Sequence, residues 1–295
     1  MNKRLNALKK QKDQASRDAA ACRLAEEYLL GFDQVTPEML KRYLTISDAA
    51  ESASSIPGIY RQLVLSAQNR NMSASVIGRS IGGIGRLGRA LCRFRPAAVV
   101  RKYGVDSRKL LREIVTHVRP TGKVRRGPRS IWPQFCRSVL SGAAFLSQFE
   151  SADDFCSWVR LFDGDERARV SLPLLIATEV DGIGFALACD FLKELGFLNF
   201  SKPDRHLKYI LPKLGLTESD DDYTMFKAIS RIARNTERTP YGVDKLFWLI
   251  GSGRFYDDGF SIGRNRRAFV SYARRRLRWP WRVPNGRPPV LAARL

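Results

Sequence analysis

Apolar residues recur along most of this chain at intervals of three and four, the rhythm of amphipathic helices, and nowhere alternate with polar residues for long enough to predict a strand. Residues 3–30 carry Leu5, Leu8, Ala15, Ala19, Cys22, Leu24 and Leu29 in that rhythm and stop at Gly31. Thr36-Pro37-Glu38 supplies a cap, a proline for the first helical position and an early acid, so it opens a second helix. After a break at Ser54-Ser55-Ile56-Pro57-Gly58, an apolar helix from Ile59 to Leu65 runs into the polar cluster Ser66 to Asn71. Further helices are expected over 106–118, 131–149, 152–162, 167–178, 185–195, 207–214, 223–234 and 243–250, with a basic loop at 120–128 and a turn at 163–166. From Arg264 the chain begins helical and ends in an irregular, proline-rich stretch around Trp279-Pro280-Trp281. The pattern predicts an all-α fold without an internal repeat.

Two of these helices flank Val180-Asp181-Gly182-Ile183-Gly184-Phe185-Ala186. Glycines between two amphipathic helices predict a tight hairpin. Successive backbone N–H groups there, together with a helix N-terminus, suit a phosphate. Next comes Lys202-Pro203-Asp204-Arg205-His206, a carboxylate at the mouth of the following helix.

Charge sharpens this picture. The 295 residues carry a net +22, and the excess is placed rather than spread. Residues 79–129 hold 15 Lys/Arg against Asp106 and Glu113, and residues 264–295 hold 10 Arg and no acid. The rest of the chain is close to neutral. Focused positive charge argues for a polyanionic partner, most simply nucleic acid; an anionic membrane surface fits less well, because neither segment has a long apolar face. No run of about eighteen uncharged apolar residues predicts a membrane span, and a cytoplasmic, nucleoid-associated protein is expected. Five widely spaced cysteines without a C-x-x-C pair argue against disulfides and a zinc site, and predict buried, inert thiols.

Gly83 to Gly88 spells G-x-G-x-x-G, but a dinucleotide site needs a strand before it and a βαβ unit around it. Here the predecessor is Ser-rich and Arg86, Arg89, Arg93 and Arg95 follow, so a flexible basic loop touching phosphates is expected.

Gly182-Ile183-Gly184, with Asp204 and His206 downstream, resembles the helix-hairpin-helix DNA glycosylase superfamily. Leu65-Ser66-Ala67-Gln68 is similar to a second segment of that family, whose Gln enters the space left by an extruded base. The resemblance implies a two-lobed glycosylase core over 58–262, with the hairpin at 180–186 and a basic insert, between an N-terminal helical segment 1–57 and an Arg-rich tail 263–295. Bifunctional members carry a Lys four residues after the first hairpin Gly; Ala186 stands there, which implies a monofunctional enzyme unless Lys193 or Lys202 substitutes. No Cys follows Cys189, so the four-Cys iron–sulfur loop of some members is not expected, and no cofactor is called for beyond the monovalent cation that the resemblance allows at the hairpin carbonyls. The stretches Thr239-Pro240-Tyr241, Val243-Asp244-Lys245, Trp248 to Gly253 and Phe255-Tyr256 resemble a phage-associated branch, described as α-glutamyl/putrescinyl-thymine pyrophosphorylase-like, which includes anti-phage glycosylases acting on glucosylated hydroxymethylcytosine.

Breaking an N-glycosidic bond passes through an oxocarbenium-like transition state, which needs a carboxylate and a water. Asp204, expected in a helix's first turn where the dipole favours an anion, is the candidate for both tasks; the alternative is a plain helix-opening acid. Asp106, placed 23 residues after Gly83, is a rival without the following His. His206 reads as structural support, with Lys202 a further possible pocket or support residue. Gln68, Asn69 and Arg70 are candidates for filling the gap after base flipping, and the amides of Gly182, Gly184 and Ala186, with Arg125 and Arg126, for phosphate contacts. Trp132, Trp279 and Trp281 beside arginines are candidates for stacking, with core packing the alternative for Trp132. The expected partner is double-stranded DNA with modified bases, bound by a monomer that excises a base and leaves an abasic site. A transferase or pyrophosphorylase on modified thymine and a non-enzymatic DNA-binding protein are the alternatives.

Overall fold

A computed structural model describes residues 2–45, 54–69 and 76–277. It is built from helices: α1 (Asn2–Leu30), α2 (Pro37–Leu44), α3 (Ile56–Ala67), α4 (Pro96–Tyr103), α5 (Ser107–His117), α6 (Ile131–Leu146), α7 (Ala152–Asp163), α8 (Ser171–Glu179), α9 (Phe185–Glu194), α10 (Leu207–Lys213), α11 (Asp222–Asn235), α12 (Pro240–Ser252) and α13 (Arg266–Arg276). The all-α expectation holds for the described residues except at one place. A two-residue antiparallel pair, β1 (Arg254–Phe255) with β2 (Phe260–Ser261), closes a small hairpin too short to show an alternating pattern.

Local chemistry starts these helices, α2 and α5 where the sequence suggests and α3 at Ile56, inside the break expected over 54–58. The Thr36 hydroxyl accepts the Met39 N–H at 3.2 Å before α2, and Ser55 accepts the Gly58 N–H at 3.2 Å before α3. Asp106, the rival carboxylate, accepts the Lys109 N–H at 2.9 Å and so caps α5. Helix α4 is not predicted from the sequence, because its eight residues give barely two turns of periodicity and no capping side chain marks their start, as Thr36 marks α2 and Asp204 marks α10.

The described residues form two compact units, each from discontinuous stretches: those within 41–203 and 239–242, and those within 1–40, 204–238 and 243–295. In the first, α6 is the central helix, in contact with α3, α4, α5 and α8. Its Phe135, Cys136, Val139, Ala143 and Leu146 are buried, as are Tyr60, Leu63 and Val64 of α3, and the Tyr60 hydroxyl donates to the Val139 carbonyl at 2.9 Å. Each large apolar side chain buried this way contributes about 1.5–3 kcal/mol. In the second unit α1 packs on α11 and α13. The fully buried Asp18 of α1 accepts hydrogen bonds from Arg231 Nε (2.9 Å) and Nη2 (3.1 Å), Asn235 Nδ2 (2.8 Å) and Gln14 Nε2 (3.0 Å), so its charge is paired rather than stranded.

Residues 78–88 differ from the flexible loop expected of them. They form short 3₁₀ turns at Arg79–Ile81 and Ile84–Gly88, pinned by buried Ile81, Ile84 and Leu87 while the arginines stay exposed. A third turn, Cys92–Phe94, has three consecutive left-handed residues, φ 52°, 57° and 58°.

Candidate nucleic-acid interface and carboxylate site

Within the first unit α8 and α9 pack together as a helix pair joined by residues 180–184. Ile183 is buried and anchors the turn, and the Asp181 N–H donates to Ser141 Oγ of α6 at 2.9 Å. Gly182 has φ 76°, a conformation that other residues adopt only at a cost. Gly184 is different: its φ of −78° suits any residue, and a Cβ there would meet nothing within 4 Å. Fold geometry does not demand glycine at 184, but a side chain would stand over the start of α9. Among the described residues no protein acceptor takes the N–H of Gly182, Gly184 or Ala186. These are the three amides expected to face a phosphate, and none is buried.

Asp204 belongs to the second unit and opens α10. One of its carboxylate oxygens, Oδ1, accepts the N–H groups of His206 (2.7 Å) and Leu207 (3.0 Å), while its carbonyl accepts the Lys208 N–H at 2.9 Å. This is a cap, and it locks the side-chain rotamer. The other oxygen, Oδ2, accepts no hydrogen bond among the described residues, and the residue is half-buried. His206 is 4% exposed and lies against Gly251, where a Cβ would stand 2.5 Å from its Nδ1. That nitrogen is buried without a partner. Burial pushes the imidazole below its ordinary value, with Asp204 opposing the shift and Arg205, Arg266 and Arg264 adding to it.

At the end of α3, Gln68 is 7% exposed, so its side chain is packed away rather than projected. Its Oε1 and the Ser66 hydroxyl are both buried without partners, each a cost of about 1–3 kcal/mol. Asn69 is half-buried, and Arg70 lies outside the described residues, as do Trp279 and Trp281. Trp132 is buried in α6, in edge contact with Phe135, and is therefore core rather than a stacking surface. Arg125 and Arg126 are exposed on the 120–128 loop without a salt bridge among the described residues. Neither lysine offered as a substitute nucleophile is presented as an open amine. Lys193 Nζ is 3.2 Å from Asp190 Oδ1 and 3.3 Å from Glu194, and Lys202 Nζ is 3.1 Å from Asp190 Oδ2. Burial raises the Asp190 carboxyl, and the two ammonium groups overcome that and hold it below its ordinary value.

The chain matches no protein-family model, no curated protein and no solved structure. The site therefore stands on its own geometry. Among the described residues no group of three or more His, Cys, Asp and Glu side chains is placed to hold a metal ion, and no helix is long and apolar enough to cross a membrane. Two residues at the site went unread in the sequence. Asp190 gives a faint signal, an acid three residues before Lys193 on one helix face. Arg137 gives none, because its partners lie in other segments: Nε donates to Asp181 Oδ2 at 2.9 Å and Nη1 to the Pro128 carbonyl at 3.2 Å.

Proposed function

We propose that this protein is a monofunctional DNA glycosylase of the helix-hairpin-helix type, which hydrolyses the N-glycosidic bond of a modified base and leaves an abasic site. The observation that carries the reading is the asymmetric Asp204 carboxylate, with Oδ1 tied to two backbone N–H groups and Oδ2 open. A fixed carboxylate with one open oxygen can orient a water, accept its proton and stabilise positive charge developing on a sugar, without reorganising during the reaction. The hairpin supplies three unpaired amides for a backbone phosphate. Ala186 in place of an amine, and the engagement of Lys193 and Lys202 by Asp190, favour water over an enzyme amine as the nucleophile. The substrate we favour is the glucosylated hydroxymethylcytosine of phage DNA, on the resemblance carried by residues 239–256.

One observation favours a second reading. A cap is a complete structural reason for Asp204, so a protein that binds DNA without chemistry would keep the same residue. The two are separated with Asp204→Asn, since Asn caps a helix as well as Asp and the fold should survive. Wild-type and variant are incubated with DNA containing glucosylated hydroxymethylcytosine and with unmodified DNA; alkaline cleavage and mass spectrometry of released bases are the readouts. Free modified base and alkali-labile sites from wild-type alone are expected, with the variant reduced at least about a hundredfold. Equal release by both proteins sinks the role of Asp204. DNA retention with no base released from either substrate supports the second reading.

A further inference from the structure

In the first unit, hydrogen bonds join three segments in series, two of them cation-bearing, the glycine-rich segment and the 120–128 loop, and the third the hairpin. Within the glycine-rich segment, the Ser80 carbonyl accepts both the N–H (2.7 Å) and the hydroxyl (3.2 Å) of Thr121, which fixes one end of the 120–128 loop. At the loop's other end the Pro128 carbonyl accepts from Arg137 Nη1 at 3.2 Å, and the same guanidinium reaches Asp181 of the hairpin through Nε at 2.9 Å. Arg137 thus holds the basic loop and the hairpin at once, in a planar fork that an ammonium cannot reproduce. Arg79, Arg86, Arg125 and Arg126 along this series are exposed and form no salt bridge among the described residues. The Phe, Tyr and Trp residues of 76–132 that are described, Phe94, Tyr103 and Trp132, are all buried, and the one exposed ring there is the His117 imidazole, 3.8 Å from Glu113. A surface rich in unpaired cations with no exposed Phe, Tyr or Trp ring suits the phosphates of a duplex, whereas a single-strand track would offer such rings for stacking.

We propose that the hairpin, the 120–128 loop and the glycine-rich segment form one continuous track for the backbone of double-stranded DNA, and that the Arg137–Asp181 pair is the clasp that keeps the loop in line with the hairpin. The inference rests on the nucleic-acid reading of the hairpin and is independent of base excision. It requires a counter-intuitive sign. Asp181→Asn removes an exposed acid, which by charge alone tightens DNA binding; as the loss of a clasp, it weakens binding.

The test is fluorescence anisotropy of the full chain on an unmodified duplex of about 30 base pairs and on one of its strands, over a series of salt concentrations. Arg125→Gln with Arg126→Gln is expected to flatten the duplex salt dependence by about two in log–log slope, the value of two phosphate contacts, and to leave the single strand unaffected. Asp181→Asn and Arg137→Lys, both of which preserve or raise the positive charge, are each expected to weaken duplex binding by up to about fivefold, the scale of an exposed ion pair, with unchanged helical circular dichroism. Tighter binding by Asp181→Asn, or wild-type affinity in both clasp variants, overturns the clasp. An unchanged slope in the double variant, or an equal change on the single strand, overturns the duplex track. Failure of the hairpin reading itself would show separately, as wild-type affinity in Gly184→Ala.

Discussion

His206 is a base that its surroundings keep from its proton. Burial against Gly251, with Arg205, Arg266 and Arg264 adding to it, holds its folded-state value below the ordinary 6.5, Asp204 opposing. The unfolded chain therefore binds a proton that the folded chain refuses, so stability is intact above about pH 6.5 and falls as the pH drops from there towards the folded value. The slope from one such group cannot exceed about 1.4 kcal/mol per pH unit. Thermal denaturation of wild-type and His206→Gln between pH 7.5 and 5 checks this: the wild-type midpoint should fall more steeply with acid, and parallel curves would remove His206 as the sensor. At this scale the sequence was readable where chemistry is local. Thr36 announces a cap, and Asp204 and Asp106 announce helix starts, because a cap needs only residues three positions apart. The burial of Gln68 and the engagement of Lys202 by Asp190 were not readable, since each depends on a segment distant in sequence.

At the scale of elements the two hairpin glycines make opposite demands. Gly182 at φ 76° is required by the turn, so Gly182→Ala should destabilise by about 1–2 kcal/mol, read as a lower melting midpoint. Gly184 sits at φ −78° with open space where a Cβ would go, so Gly184→Ala should be neutral or stabilise by up to about 1 kcal/mol. Its DNA affinity should nevertheless fall, because the new methyl stands beside amides that have no protein acceptor. A variant that is at least as stable and yet binds worse separates a glycine kept for access from one kept for folding. Equal affinity would mean that the hairpin amides do not meet phosphate. Helices of three turns or more were legible from periodicity, because an apolar face repeats often enough to count. The eight residues of α4 lack a side-chain cap to mark them, the two-residue strands were too short to repeat, and the order of residues 78–88 comes from Ile81, Ile84 and Leu87 seated three apart, a 3₁₀ interval hidden among glycines.

For the whole molecule, what composition made legible was the excess of 51 Lys and Arg over 29 Asp and Glu, and its concentration in two segments. What it hid was which cations are paired: Arg231 is spent on buried Asp18 and Arg169 on Asp163, while Arg125 and Arg126 pair with nothing among the described residues. Unpaired like charges repel one another in the compact state, and salt relieves that repulsion once the screening length falls to about 10 Å near 0.1 M. The free protein should therefore melt at higher temperature as salt rises from 20 to 200 mM. Bound to duplex DNA, the same cations contact phosphates, and ligand at a hundred times its dissociation constant adds about 2.7 kcal/mol, a few degrees in the midpoint. That gain is lost as salt rises, because each phosphate contact releases counterions on binding. Salt should thus stabilise the free protein and destabilise the complex, the two melting curves converging near 200 mM. Differential scanning fluorimetry with and without duplex across that range reads both signs. If the two preparations respond to salt in the same direction, the basic segments act on the fold alone and not on a polyanion.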